Sequence, residues 1–190
     1  MGLANWLTLL RIVMVPVFVS LLVYRKPGPA LVVFATAAFT DLLDGYIARR
    51  RGSQSRLGAF LDPMADKLLL TASFVTLTYL KALPFWIAAV VISRDVILAL
   101  GTVLIFMLGG RVHPRPTWAG KAATFLQILT VLGGLLAPYV APGLAARVAL
   151  WLAALFTVVS GLQYLVQGMR FLNATHDEER EGSREGAFLR

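Results

Sequence analysis

Apolar residues gather in six runs, at about 6–24, 30–48, 57–80, 84–109, 119–140 and 144–168, each close to the ~20 residues that a helix needs to cross a bilayer. Turn-forming chemistry separates them: RKPGP, RRRGSQS, KALP, GGRVHPRP and APG. The pattern predicts an all-α integral membrane protein with six transmembrane helices in one catalytic-sized unit, 1–171, followed by a polar C-terminal tail, 172–190. From Asn173 the chain reads NATHDEEREGSREGAFLR, and it is expected to be a mobile or surface segment. No internal repeat is visible. The first run lacks a basic n-region, carries Arg11 inside its apolar stretch and shows no small-residue cleavage site, so it is expected to remain as the first helix rather than act as a signal peptide.

Composition agrees with this picture. The chain is 58% hydrophobic and only 15% charged, with a mean hydropathy of +0.74, outside the usual range of a soluble domain. Without cysteine it has neither disulfides nor thiolate chemistry, and its two histidines, His113 and His176, fall in a loop and in the tail, so soft-metal sites are not expected. A net charge of +8 reports topology before it suggests nucleic acid, because Lys and Arg accumulate on the cytoplasmic side of a membrane. With the N-terminus inside, eleven basic residues fall in inside segments and four (Arg25, Lys26, Lys81, Arg147) in outside loops. Both termini are therefore expected in the cytoplasm, in a plasma or inner membrane, with no nucleic-acid partner. The inside cations also suit anionic lipid head groups.

The acids carry the chemistry. Of ten, five lie in the tail, and the other five, Asp41, Asp44, Asp62, Asp66 and Asp95, all fall in predicted spans. A charge at the bilayer centre costs at least ~2.5 kcal/mol even on lenient insertion scales, so such residues face a cavity, a partner or an ion. Asp41 lies 7 residues before the end of the second predicted span and Asp62 lies 5 after the start of the third, which places both within roughly 10 Å of one membrane face. The spacings i,i+3 for Asp41/Asp44 and i,i+4 for Asp62/Asp66 let each pair share a helix face. Four carboxylates without His or Cys form a hard oxygen donor set, suited to Mg²⁺, Mn²⁺ or Ca²⁺. Mg²⁺ shares its coordination with substrate phosphates, so a phosphorylated substrate is expected at that face.

The intervening residues fit a phosphate ligand. Gly45, Ala48 and Gly58 remove side-chain bulk, Arg49 and the loop residue Ser55 can hold phosphate oxygens, and Pro63 would kink or open its helix. Plainer readings stand beside these: small residues in membrane helices also serve packing, and RRR after a span also marks topology.

The stretch Asp41-x-x-Asp44-Gly45-x-x-Ala48-Arg49, then eight residues, Gly58, three residues, Asp62, three residues and Asp66, resembles the complete signature of the CDP-alcohol phosphotransferases. That resemblance implies a six-helix membrane fold and the transfer of a phosphatidyl or similar group from a CDP-linked donor to an alcohol, with release of CMP. It further implies that Asp41, Asp44 and Asp62 bind metal, that Asp66 is the catalytic base and a second-metal ligand, that two Mg²⁺ or Mn²⁺ ions take part, and that Gly45, Arg49 and Ser55 contact the donor. A homodimer is implied by the resemblance alone.

The acceptor is read from further segments. NWLTLLRIVMVPVF and DPMADKLLL resemble phosphatidylglycerophosphate synthases, whose acceptor is glycerol 3-phosphate, with Asn5 and Thr8 near the nucleotide. ISRDVILALGTVL and GKAATFLQ look more like the cardiolipin synthases of the same family, which use phosphatidylglycerol; Ala123 stands where a second lysine is common. Both acceptors carry phosphate, so Arg94, Arg111, Arg115 and Lys121 are candidates to bind it. Arg94 can instead simply neutralise Asp95, and Lys67 is read as a counter-charge. A cation transporter is the competing class, but it would spread its acids through the membrane depth and often show inverted repeats.

Overall fold

A computed structural model describes the backbone of residues 3–51, 56–107, 117–140 and 143–188, and the side chains of 9–40, 67–103, 107, 117–140 and 143–169. All regular structure among them is helical: α1 (Leu3–Val23), α2 (Pro27–Arg51), α3 (Arg56–Tyr79), α4 (Phe85–Met107), α5 (Trp118–Leu136) and α6 (Leu144–Phe188). Each predicted span corresponds to one helix. Two helices run further than their apolar cores. α2 continues through the good helix formers Arg49 to Arg51, and α6 continues through Asn173 to Phe188, where Asp177/Arg180 and Glu181/Arg184 repeat the supportive i,i+3 spacing of opposite charges.

Among the described residues, three helices contain segments long and apolar enough to cross a bilayer: Phe85–Val103, Trp118–Leu136 and Leu144–Met169. In the other three helices the described side chains include the apolar runs Leu9–Val23, Pro27–Thr40 and Lys67–Tyr79.

The turns are set by helix termini. α1 and α3 both end in a left-handed residue, Arg25 (φ 55°) and Lys81 (φ 61°). At each, two amide N–H groups fold back onto the last turn: Arg25 donates to Leu22 and Lys26 to Leu21, while Lys81 donates to Thr78 and Ala82 to Leu77. This satisfies carbonyls that the helix end would leave open, in the pattern that usually places glycine at the left-handed position. α5 begins on Thr117, whose hydroxyl accepts from the amide of Gly120 at 3.1 Å.

α1 packs on both α2 and α3, α5 on α6, and α4 on α6, while α2 and α3 also meet α5 and α3 meets α4. The core between them contains Phe18 and Phe34, with ring centroids 5.8 Å apart, and the buried Phe74, Leu77, Ile87, Val91, Val131 and Leu135. Two of the glycines sit close to neighbouring side chains. A Cβ on Gly134 would lie 3.1 Å from Leu77 Cδ1, and one on Gly28 would lie 2.9 Å from Tyr139 Oη.

These contacts, with the stacking of Trp86 on Trp151 at 4.9 Å between centroids, bring the ends of α1, α3 and α5 to one end of the bundle with the starts of α2, α4 and α6. Tyr24, Tyr79 and Tyr139 are all exposed there. The opposite end is where α2 finishes and α3 begins.

Candidate active site

The aspartates stand on that opposite end. Asp41 and Asp44 lie on α2 and Asp62 and Asp66 on α3. α2 runs unbroken from Asp41 through Arg49 and α3 from Gly58 through Asp66, so the spacings within each of these stretches are helical. Asp41 is ten residues before the end of α2 and Asp62 six after the start of α3, about 15 and 9 Å along the helices. Gly45, Ala48 and Arg49 follow on α2, Gly58 precedes Asp62 on α3, and Asn5 and Thr8 stand on α1, which packs on both acidic helices. The side chains of Asn5, Thr8, Asp41, Asp44, Ala48, Arg49, Asp62 and Asp66 lie outside the described residues, as do Ser55, Arg111 and Arg115 altogether.

Arg11 adds a feature that the sequence did not single out as functional. It sits on α1, one turn beyond Thr8, and is 2% exposed. A buried guanidinium is retained in such surroundings only with anionic or hydrogen-bonding company. The signal that could have found it was its spacing from Asn5 and Thr8 together with its place inside an apolar run.

Beside the aspartates lies a second charged cluster. Lys67, the residue after Asp66, reaches across to α4, where its Nζ is 2.5 Å from Asp95 Oδ1. Arg94 Nη1 donates to the same oxygen at 2.8 Å, and its Nη2 donates to Ser160 Oγ on α6 at 3.0 Å. The Arg94 side chain is 8% exposed, Asp95 15% and Lys67 40%. Arg94 Nε is buried with no hydrogen-bond partner among the described residues. Among the described residues, Asp95 is thus a counter-charge shared by Lys67 and Arg94.

The start of α5 closes on this cluster. A Cβ on Gly120 would lie 3.3 Å from Ser160 Oγ and 3.5 Å from Arg94 Nη2, so the absence of a side chain lets α5 approach the guanidinium. Lys121 follows in the same turn; it is exposed, with its Nζ 5.6 Å from the centroid of the Trp118 ring, within cation–π range. The structure therefore brings Arg94 and the helix turn of Lys121 together, and ties both to the helix that carries Asp66.

Comparison with known proteins matches this arrangement to a class. A family model described as CDP-alcohol phosphatidyltransferase covers residues 1–159, and the chain belongs to that family. It is 37% identical over 176 residues to a protein of Mycobacterium tuberculosis (strain CDC 1551 / Oshkosh) named "Probable phosphatidylglycerophosphate synthase", a match covering 89% of this chain and 82% of the relative. It is also 38% identical over 167 residues to a "CDP-diacylglycerol--glycerol-3-phosphate 3-phosphatidyltransferase" of Haemophilus influenzae, covering 84% of this chain and 89% of the relative. A protein of Yersinia pestis with that same name is 36% identical over 171 residues, covering 87% and 93% respectively.

Proposed function

We propose that this protein transfers the phosphatidyl group of CDP-diacylglycerol to glycerol 3-phosphate, giving phosphatidylglycerol phosphate and CMP. The observation that carries this reading is 36–38% identity, over most of the chain, to proteins named for that reaction. The matched 89% of the chain is wide enough to run through the segments around Arg94 and Lys121, which had suggested a cardiolipin synthase. That alternative is accordingly not favoured, and family membership leaves the transporter without support.

The donor set of Asp41, Asp44, Asp62 and Asp66 fits hard divalent cations, with no softer ligand in the signature. Those four residues would hold Mg²⁺ or Mn²⁺, one ion or two. Bound there, the metal would neutralise the diphosphate and clamp the attacking and leaving oxygens.

The chain's own residues supply the rest. Asp66 takes the proton from the acceptor hydroxyl as its oxygen attacks the phosphorus of the phosphatidyl group; the bond from that phosphorus to the oxygen of CMP breaks, and CMP leaves with the electron pair. Asn5, Thr8, Gly45, Ala48, Arg49, Ser55 and Gly58 border the nucleotide. Arg94, Arg111, Arg115 and Lys121 are assigned to the acceptor phosphate, where a cation held in place aligns the hydroxyl for attack. The approach of the first turn of α5 to the Arg94 guanidinium supports this assignment by bringing Lys121's turn beside Arg94.

All six helices are taken to span the membrane, with 1–171 as the catalytic unit and 172–190 as a polar extension. The exposed tyrosines at one end suit an interfacial aromatic belt, and the excess of basic residues at the other suits a cytoplasmic active site in the inner membrane. A homodimer follows from family resemblance only.

The test is CMP release by detergent-purified protein given CDP-diacylglycerol and Mg²⁺, with glycerol 3-phosphate, phosphatidylglycerol, inositol phosphate or serine as acceptor. Release is expected with glycerol 3-phosphate, abolished by chelation or by Asp66→Asn. Release with phosphatidylglycerol alone would make the protein a cardiolipin synthase, and none with any acceptor would refute the enzyme reading.

A further inference from the structure

From the tyrosine end of the bundle, α3 and α4 form an open groove of about 840 Å³ lined by Val75, Thr78, Tyr79, Lys81, Phe85 and Ile92 among others, which reaches as far along α4 as Ser93. Its walls are mostly apolar, and the exposed Lys81 is one of its lining residues. Three observations set Lys81 apart from an ordinary loop lysine. It occupies a left-handed position, φ 61°, where glycine would be free of strain; backbone strain of this kind persists only where something else over-determines it. It is exposed and makes no ion pair among the described residues. It also lies at the end of the bundle that the charge distribution assigns to the outside, where basic residues are disfavoured.

The groove contains a polar atom of its own. Thr78 Oγ1 is buried without a hydrogen-bond partner among the described residues, whereas Thr76, two residues earlier and on another face, donates its hydroxyl proton to the carbonyl of Ala72 at 2.7 Å. The same construction recurs at the end of α1. Arg25 is left-handed at φ 55°, and a second groove, of about 600 Å³, runs from Pro16 to Tyr24 and Lys26. Each groove is therefore mostly apolar and counts one tyrosine and one lysine among its lining residues.

We infer that the α3–α4 groove is a binding site for an anionic phospholipid of the leaflet opposite the active site, with an acyl chain along Val75 and Ile92 and the head-group phosphate at Lys81 and Tyr79. An unpaired cation over apolar walls complements a lipid that is negative at the head and oily below it. A zwitterionic lipid, carrying its own ammonium, gains less from the same lysine.

Native mass spectrometry of the full-length protein, purified in a non-ionic detergent and titrated with phosphatidylglycerol or phosphatidylcholine of matched acyl chains, tests the site. Wild type is expected to prefer phosphatidylglycerol by about fivefold, the scale of one lysine at an anionic surface. Lys81→Gly and Lys81→Gln lose the preference, and Lys81→Arg keeps it. Lys81→Gly melts no lower than wild type without lipid, because glycine accepts the left-handed backbone, so its loss of lipid cannot be blamed on unfolding. Lipid bound at the active site counts equally in all variants, and their difference isolates the groove. Equal preference in wild type and Lys81→Gly, or no preference in wild type, overturns the inference. CMP release, measured on the same preparations, is expected to be unchanged by the Lys81 variants; its absence in wild type would instead strike the proposed reaction.

Discussion

Replacing Asp95 by asparagine removes a carboxylate that Lys67 and Arg94 share. The two pairs differ in worth. Lys67 is 40% exposed, so its bridge is screened and contributes no more than about 1 kcal/mol. Arg94 is 8% exposed and Asp95 15%, and taking the anion from a buried guanidinium leaves a charge with only Ser160 for company, at a cost of about 3 kcal/mol. Asp95→Asn should therefore destabilise by about that amount, and Lys67→Met by about 1 kcal/mol or less. The double variant Arg94→Gln/Asp95→Asn removes both charges and should be more stable than Asp95→Asn alone, because the desolvation that the pair had offset disappears with it. Unfolding titrated with SDS in mixed micelles, followed by tryptophan fluorescence, gives these differences. Additive losses in the double variant, or a loss of less than about 1 kcal/mol in Asp95→Asn, would show that the ion pair is not what holds α4 in place.

Lys121→Ala should raise the KM for glycerol 3-phosphate far more than the KM for CDP-diacylglycerol; equal effects on both would count against a role at the acceptor phosphate. Two glycines should respond in opposite directions to alanine. In Gly134→Ala the new Cβ meets Leu77 at 3.1 Å and Leu83 at 3.4 Å, both buried, and overpacking should lower stability by about 1–2 kcal/mol. Gly101→Ala meets nothing within 4 Å and should gain about 0.5–1 kcal/mol of helix propensity. The same SDS titration reads both, and loss in Gly101→Ala would mean that this helix surface is covered in the assembled protein.

Much of the fold was legible because apolar length is a direct requirement of the bilayer and RKPGP or KALP leaves little choice of where to turn. Helix ends were less legible: hydropathy falls at Ala48 and Gly168, but backbone hydrogen bonding does not, and Arg49 and the charged stretch after Asn173 are compatible with more helix. The left-handed Arg25 and Lys81 were invisible, since nothing in an arginine or lysine announces a positive φ. At the site, the aspartate pairs were readable because their spacing is a property of one helix. The Asp95 cluster was not, because its bonds join residues 28 and 66 positions apart and depend on how α3, α4 and α6 pack. Sequence left open whether Arg94 neutralises Asp95; the geometry shows that it does, with Lys67 sharing the same oxygen.

That shared oxygen bears on how the proposed site would be held in register. Asp66, the proposed base, and the residues proposed for the acceptor phosphate lie on different helices, so attack requires α3 to keep a fixed position relative to α4 and α5. Apolar contacts in a membrane hold helices together weakly against sliding, because lipid competes on equal terms for the same surfaces. The largely buried Arg94–Asp95 pair does not have that alternative. Asp95 fastens the residue after Asp66 to the residue beside itself, Arg94 carries the tie to Ser160 on α6, and Gly120 lets the first turn of α5 close against the guanidinium. Placing a counter-charge here rather than beside each cation links base and acceptor site through a single carboxylate.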